Sequence, residues 1–457
     1  MRYGLIGKSL SHSYSKAIHG FFGNAEYGLL ELPPHALEGF LRGADFRGIN
    51  VTIPYKEAVM PFCEPDAAAR EIGCVNTIVN RGGRLLGYNT DYFGFSHMAK
   101  SAGISFEGKK ALILGSGGTS KTAACAARAG GAREIAVVSR GGESNYGNLA
   151  RHADSDVLIN TTPVGMFPGS GSSPVSLEAF PSLCAVIDVV YNPLRTRLML
   201  GALERGIPAA GGLCMLVAQA LMAHRLFFGA GQRGDGADLA GGIGQCGNAD
   251  RAGGAGQRGD GGGNQAGGNA IQAGGADLAG GLGCGAETAA QIAEALSKAE
   301  RLFSNIALVG MPGCGKTTVG RKLASLLGMA FADTDLMVEE SSGRKIPDII
   351  RESGEPFFRA LESAAVAKAA AQPQTVIATG GGAVLSRENR DALLQNGKVV
   401  FLERPLSALA TEGRPLSADL KALLAQRLPI YEALCHFRVA AAGSPAETAR
   451  RAAALFR

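Results

Sequence analysis

Residues Gly310-Met311-Pro312-Gly313-Cys314-Gly315-Lys316-Thr317-Thr318 spell G-x-x-x-x-G-K-T between an apolar run and a helical pattern. A glycine turn in that context aims backbone N–H groups at phosphates. The lysine reaches the β/γ oxygens, and the first threonine hydroxyl suits Mg²⁺. The string predicts an ATP-type site built on Gly313, Cys314, Gly315, Lys316, Thr317 and Thr318, with Cys314 as a small filler rather than a nucleophile. A second turn, Gly115-Ser116-Gly117-Gly118-Thr119-Ser120, also joins an apolar run to a helix. It fits a dinucleotide pyrophosphate at a helix N-terminus, although Ser120 stands where the third fingerprint glycine belongs. The next apolar run ends in Ser139-Arg140. An arginine there suits a 2′-phosphate, whereas an acid would suit free ribose hydroxyls, so NADP is favoured over NAD. Taken alone, a bare turn followed by a solvated arginine would read the same way.

The elements that must hold these turns can be read from apolar runs. They fall at 48–53, 110–114, 134–139, 156–160 and 185–190, and again at 305–309, 375–378 and 398–402. Helical patterns such as 120–129, 319–327 and 361–371 separate them. The alternation predicts an α/β protein with parallel sheets covered by helices on both faces. Between the halves, 23 of the 58 residues in 229–286 are glycine and none is aromatic; GAGQRGDG and GADLAGG each occur twice. Such a segment buries too little apolar surface to offset its ordering entropy and is expected to be a disordered tether. Residues 289–302 read as a short amphipathic helix leading onward.

The 457 residues allow two or three domains, and 46% hydrophobic with 19% charged residues suits ordinary cores. A net charge of +5 without a basic stripe gives no reason to expect nucleic acid or an anionic membrane as partner. The nine cysteines include no C-x-x-C pair, which favours a reduced, cytoplasmic protein over a disulfide framework or a zinc site. Met1 leads directly into a strand-like run without a secretory pattern, and the longest apolar stretch, 213–223, is too short to span a bilayer.

An ordered set of strings then carries a resemblance. In the first half they are Ser11-His12-Ser13-Tyr14-Ser15, Asn50-Val51-Thr52-Ile53-Pro54-Tyr55-Lys56, Val75-Asn76-Thr77 and Asn89-Thr90-Asp91. Asn160-Thr161-Thr162-Pro163-Val164-Gly165-Met166 and the run from Gly212 to Gln219 follow. Over 1–228 the chain resembles shikimate dehydrogenase. The resemblance implies Lys56 as proton donor with Asp91 as its partner. Ser13 and Ser15 would meet the substrate carboxylate, with Thr52, Asn76 and Gln219 on ring hydroxyls. Gly115, Ser116, Gly117, Gly118, Thr119, Ser120, Ser139, Arg140 and Gly212 would lie around NADP(H). The domains expected are 1–100 for substrate, completed by 212–228, and a Rossmann-type NADP-binding domain over 101–211. Lys16 departs from the family's usual Pro, and Ser139-Arg140-Gly141 from its usual Asn-Arg-Thr.

In the second half the strings are Asp333-Thr334-Asp335, Gly354-Glu355-Pro356-Phe357-Phe358-Arg359, Thr379-Gly380-Gly381-Gly382, Gly413-Arg414-Pro415-Leu416 and Arg427-Leu428-Pro429-Ile430-Tyr431. With the phosphate loop they resemble shikimate kinase, so 301–457 is expected to be a P-loop NTPase-type parallel-sheet domain. The resemblance implies Asp333 and Thr317 at Mg²⁺ and Asp335 on the attacking hydroxyl. Arg359 and Arg427 would grip the carboxylate. Gly380, Gly381 and Gly382 would lie against the acceptor, and Arg414 would be a catalytic lid residue. Two acids two residues apart on a strand end would face one side, serving one metal and one acceptor. The lid is short and offers only Arg404 and Arg414.

The expected function is therefore bifunctional: NADPH-dependent reduction of 3-dehydroshikimate to shikimate, then ATP-dependent phosphorylation of shikimate. The alternative is a quinate/shikimate dehydrogenase fused to a catalytically weak nucleotide-binding regulatory module.

Overall fold

The computed structural model describes residues 1–11, 13–229, 285–409 and 420–456. All but the ends of the glycine-rich segment therefore lies outside the described residues.

The chain opens with β1 (Tyr3–Gly7), α1 (Ser15–Phe21), β2 (Tyr27–Glu31), α2 (Leu37–Gly43), β3 (Gly48–Val51), β4 (Glu64–Pro65), α3 (Ala67–Ile72), β5 (Thr77–Arg81) and β6 (Arg84–Tyr88). The sheet order is β2-β1-β3-β5-β6-β4. β1, β2 and β3 are parallel, but β5 runs antiparallel to β3 and β6, so this sheet is mixed where the alternation suggested parallel strands throughout. The physical reason is the turn at Gly82 (φ 62°) and Gly83 (φ 91°). Two successive positive φ values close a tight hairpin that needs no crossover helix.

After α4 (Thr90–Ser101) comes the second sheet: β7 (Lys110–Leu114), α5 (Gly118–Ala129), β8 (Glu134–Val138), β9 (Val157–Asn160), β10 (Ala185–Asp188), α6 (Arg197–Glu204) and β11 (Ala209–Gly211). Its order is β11-β10-β9-β7-β8, all parallel. β7 lies inside it with every residue buried, which is why 111–114 reads as an unbroken apolar run after Lys110. α7 (Gly212–Phe228) returns along α4 to the first sheet.

α8 (Ala286–Phe303) buries Ile292, Ala295, Ala299 and Phe303, one stripe at helical spacing, against α7 and α1. Near the end of α7, Arg225 donates to Thr288 Oγ1 at 3.0 Å and Gln291 Oε1 at 3.1 Å. The glycine-rich segment thus leaves and re-enters the same helical cluster. Only Ser304 separates α8 from the third sheet.

That sheet consists of β12 (Asn305–Val309), α9 (Lys316–Leu327), β13 (Ala330–Asp333), α10 (Thr334–Ser342), α11 (Ile346–Ser353), α12 (Glu355–Ala370), β14 (Thr375–Ala378), α13 (Arg387–Asn396), β15 (Gly397–Glu403), α14 (Leu420–Leu434), β16 (Phe437–Ala440) and α15 (Pro445–Ala453). The order β13-β14-β12-β15-β16 is wholly parallel, with β12 central and buried along its length. α15 starts with a capping box in which Ser444 and Glu447 satisfy each other's backbone N–H groups. Among the described residues, no helix is long and apolar enough to cross a membrane, and the cysteines are free thiols.

Candidate active sites

Parallel β1 and β3 end side by side, so the loops carrying Ser13, Ser15, Thr52 and Lys56 emerge at one edge of the first sheet. Asp91 comes from the first turn of α4, fixed because Asn89 caps that helix by accepting the Tyr92 N–H at 3.1 Å. The Lys56 ammonium donates to Asp91 Oδ2 at 2.6 Å, with side chains only 13% and 9% exposed. It also donates to Thr119 Oγ1 at 3.2 Å. The lysine therefore bridges the first sheet and the glycine turn of the second. Beside it, Asn76 accepts the Thr90 N–H at 2.7 Å, and the Thr90 hydroxyl reaches Gln219 Oε1 at 3.3 Å. Ser15 N–H donates to Ser13 Oγ at 3.3 Å, and burial pushes up the Tyr191 phenol against the opposing pull of Ser13. Thr52 is half-buried, its N–H held by the Ile6 carbonyl at 3.0 Å.

α5 begins without a side-chain cap, and Ser116 and Gly117 are exposed at its start, so its first N–H groups can receive an anion. Gly115 and Gly118 flank that opening, Gly118 against Lys56. Ser120 is buried in the first turn of α5. Ser139 and an exposed Arg140 follow β8, the parallel neighbour of β7, and so share the edge. Gly212 differs from the other residues grouped around the cofactor. It is buried, and a Cβ there would lie 2.0 Å from the Val189 carbonyl oxygen, so its missing side chain allows α7 to start against the end of β10.

The second site is a cleft of about 610 Å³ at the carboxyl ends of β12, β13 and β14. Lys316 is buried and donates to the carbonyls of Gly310 at 2.8 Å and Met311 at 3.0 Å. Thr317 Oγ1 donates to Asp333 Oδ2 at 2.6 Å. The two acids are not on one strand end, as their spacing suggested: Asp333 ends β13 and caps α10 through the N–H groups of Asp335 and Leu336, while Asp335 is already in the helix. They still face one cleft because the cap folds the first turn back on the strand.

A Cβ on Gly380 would lie 2.6 Å from Glu362 Oε1 and 2.7 Å from Asp335 Oδ1, and one on Gly382 would lie 2.6 Å from Arg359 Nη1. Those side chains occupy space that only glycine leaves open. Arg359 donates to Glu362 Oε2 at 2.8 Å, and burial pushes the Glu362 carboxyl up against the opposing pull of Arg359 and Arg427. Arg427 lines the cleft at 4% exposure with its Nε unpartnered. Gly381 is held through its carbonyl by the Tyr431 hydroxyl at 2.7 Å. Arg414 lies outside the described residues.

Comparison with known proteins adds to this geometry. The shikimate dehydrogenase substrate-binding-domain family matches residues 5–78, and the shikimate kinase family matches 312–455. The NADP shikimate dehydrogenase of Symbiobacterium thermophilum is 36% identical over 259 residues, covering 50% of this chain and 88% of its own. That of Halothermothrix orenii is 39% identical over 262 residues, covering 50% and 90%. The chain belongs to the shikimate dehydrogenase family. Its second unit is a shikimate kinase domain, so the chain is a bifunctional enzyme of the shikimate pathway using NADP and ATP. A solved shikimate dehydrogenase from Peptoclostridium difficile is 36% identical, covers 50% of this chain and 92% of its own, and superposes with a TM-score of 0.47.

Sequence reasoning passed over Glu362 and Thr90. In the kinase unit, Glu362 was detectable as an acid three residues after Arg359 on one helix face. In the dehydrogenase unit, Thr90 was hidden between Asn89 and Asp91, where it passes for an ordinary turn residue. Arg404 gains weight too. Its Nε is buried without a partner, and Nη1 lies 3.9 Å from where a Gly315 Cβ would be, over the phosphate loop.

Proposed function

We propose that the dehydrogenase unit reduces 3-dehydroshikimate to shikimate and the kinase unit phosphorylates shikimate at its 3-hydroxyl. The observation that best supports this is that each unit sets a nucleotide turn against a compact group of hydroxyl, amide and charged side chains. In the first, that is Lys56 between Asp91 and Thr119. In this reading residues 1–100 with 212–228 hold the acid, 101–211 hold NADP(H), and 301–457 form the kinase.

Bound NADPH supplies the hydride. Lys56 delivers a proton to the carbonyl oxygen as negative charge grows there, and Asp91 keeps the ammonium aimed. Ser13 and Ser15 donate to the carboxylate, while Thr52, Asn76 and Gln219 hold the ring hydroxyls. Arg140 pairs with the 2′-phosphate.

In the kinase unit, Lys316 and the loop N–H groups hold the β/γ-phosphates, and Arg404 adds positive charge from the end of β15. Asp335 orients the attacking hydroxyl and takes its proton. Arg359 and Arg427 grip the carboxylate, the unpartnered Arg427 Nε being a donor suited to it. Arg414 as the lid residue rests on the resemblance alone. Thr317 Oγ1 and Asp333 Oδ2, 2.6 Å apart, are hard oxygen donors that fit Mg²⁺, an ion that commonly takes one or two protein ligands and fills its shell with water and phosphate. When bound, the ion offsets charge on the phosphates.

The test is one reaction containing 3-dehydroshikimate, NADPH, ATP and Mg²⁺, followed by absorbance and mass spectrometry. Shikimate 3-phosphate forming as NADPH is consumed supports both assignments. Shikimate accumulating unphosphorylated removes the second, and no NADPH loss removes the first.

A further inference from the structure

The kinase unit touches the dehydrogenase unit at the serine motif, and does so from two directions. Phe303, the last residue of α8, stacks on Tyr14 with ring centroids 3.5 Å apart and an interplanar angle of 5°. Tyr14 lies between Ser13 and Ser15, and its other neighbour is Tyr191, at 5.3 Å, whose buried phenol is eased by the polar side chain of Ser13. Tyr191 in turn opens the loop that ends at Arg195, and that loop is held by the kinase unit. Arg195 Nε donates to the Leu394 carbonyl at 2.8 Å and Nη2 to the Gly397 carbonyl at 2.9 Å. The Arg195 N–H donates to the Gln395 carbonyl at 3.0 Å, and the Leu194 N–H to Asn396 Oδ1 at 2.9 Å.

The Leu394 and Gln395 carbonyls belong to the last turn of α13, and Gly397, which follows it, is extended and supplies no cap of its own. The last carbonyls of a helix have no intrahelical partner and form the negative end of its dipole. The dehydrogenase loop meets both needs with N–H donors and a guanidinium. A contact that completes a helix end is part of the fold of both units, unlike the rim pair of Arg387 and Glu204, whose side chains are 57% and 50% exposed.

We infer that the kinase unit is a structural member of the dehydrogenase's acid-binding site, and that Phe303 and Arg195 are the positioning residues through which it holds Ser13 and Ser15. This rests on the reading of those serines as donors to the substrate carboxylate. Such donors bind substrate and transition state alike, so loosening them should raise KM and leave kcat nearly unchanged.

The experiment measures shikimate oxidation with NADP in the full chain carrying Arg195→Ala, Phe303→Ala or Phe303→Leu, with Arg387→Ala as the rim control. For the first two, the expected result is a KM for shikimate raised by about three- to ten-fold with kcat within about two-fold. Phe303→Leu should fall between wild type and alanine, while Arg387→Ala, the KM for NADP and the kinase constants should not move. The unmoved kinase constants exclude global misfolding. Ser13→Ala separates the two levels of the reading. If it raises KM while Arg195→Ala and Phe303→Ala do not, the serine assignment stands and the inference is overturned. If Ser13→Ala and Ser15→Ala both leave KM unchanged, the assignment falls and the inference with it.

Discussion

The carboxylates of Asp335 and Glu362 converge on the α-carbon of Gly380, from the first turn of α10 and from α12. Glu362 is bound to Arg359, and Asp335 lines the same cleft. Gly380→Ala should therefore close the kinase's acceptor site, with phosphorylation falling at least about ten-fold while shikimate oxidation is untouched. Asp335→Asn should lower kinase kcat by about 10²-fold or more with ATP binding preserved. Loss of ATP binding in the Asn variant, measured by calorimetry, would contradict this.

The Lys56–Asp91 pair makes a prediction for the other chemistry. Lys56→Ala should reduce kcat for dehydroshikimate reduction by about 10²- to 10⁴-fold, the usual contribution of a positioned acid. Asp91→Asn should cost less, because the lysine keeps its second contact with Thr119. A Lys56 variant with full turnover would remove it from the mechanism.

Arg404 offers a test of the phosphate loop. With its guanidinium over Gly315, Arg404→Ala should raise the KM for ATP about five- to thirty-fold and leave the KM for shikimate alone, since truncating a charged phosphate contact costs about 1–2 kcal/mol. An unchanged KM for ATP would show that the side chain only covers the loop.

Asp188 carries a pH signature. It is buried at the end of β10, bonded to Thr196 and Asn160, and burial raises its carboxyl to about 6 from 3.8. A folded-state pKa above the unfolded one means that the native state binds the extra proton. The associated stability is present in full below about pH 4 and is lost as pH rises through about 6, by about 3 kcal/mol in all. Asp188→Asn cannot titrate. Urea unfolding should thus show wild type losing ground to this variant between pH 4 and pH 7.5. A gap independent of pH would contradict the assignment.

What the sequence made legible follows from where the information sits. The phosphate loop, the glycine turn, and the Lys56 and Asp335 motifs are contiguous strings, and contiguous strings survive without a fold. Central strands such as β7 and β12 were readable because burial on both sides leaves four apolar residues in a row after Lys110 and after Asn305. Edge strand β8 was legible too, but other edge elements were not: β2 and β16 alternate in exposure, and β13 carries little apolar signal. The pairing of Asp333 as a helix cap rather than a second strand residue depends on where β13 stops, a boundary that propensity does not fix. The docking of α8 was invisible for a different reason. Its apolar stripe was evident, but the partner stripe on α7 lies across the glycine-rich segment, and nothing in a periodicity names its partner.

β12 is the feature with the longest reach. Its first residue, Asn305, follows the Phe303 ring that covers the serine motif by two positions, and its last, Val309, leads into the phosphate loop. Five residues of strand advance roughly 16 Å. The Phe303 contact with the serine motif and the phosphate loop thus stand at opposite ends of β12, beside the packed core of the kinase unit. On the reading proposed above, the fusion fixes the stoichiometry of two catalysts and the intermediate joins a common pool. Isotopically labelled shikimate added from outside should then appear in the phosphorylated product in proportion to its share of that pool.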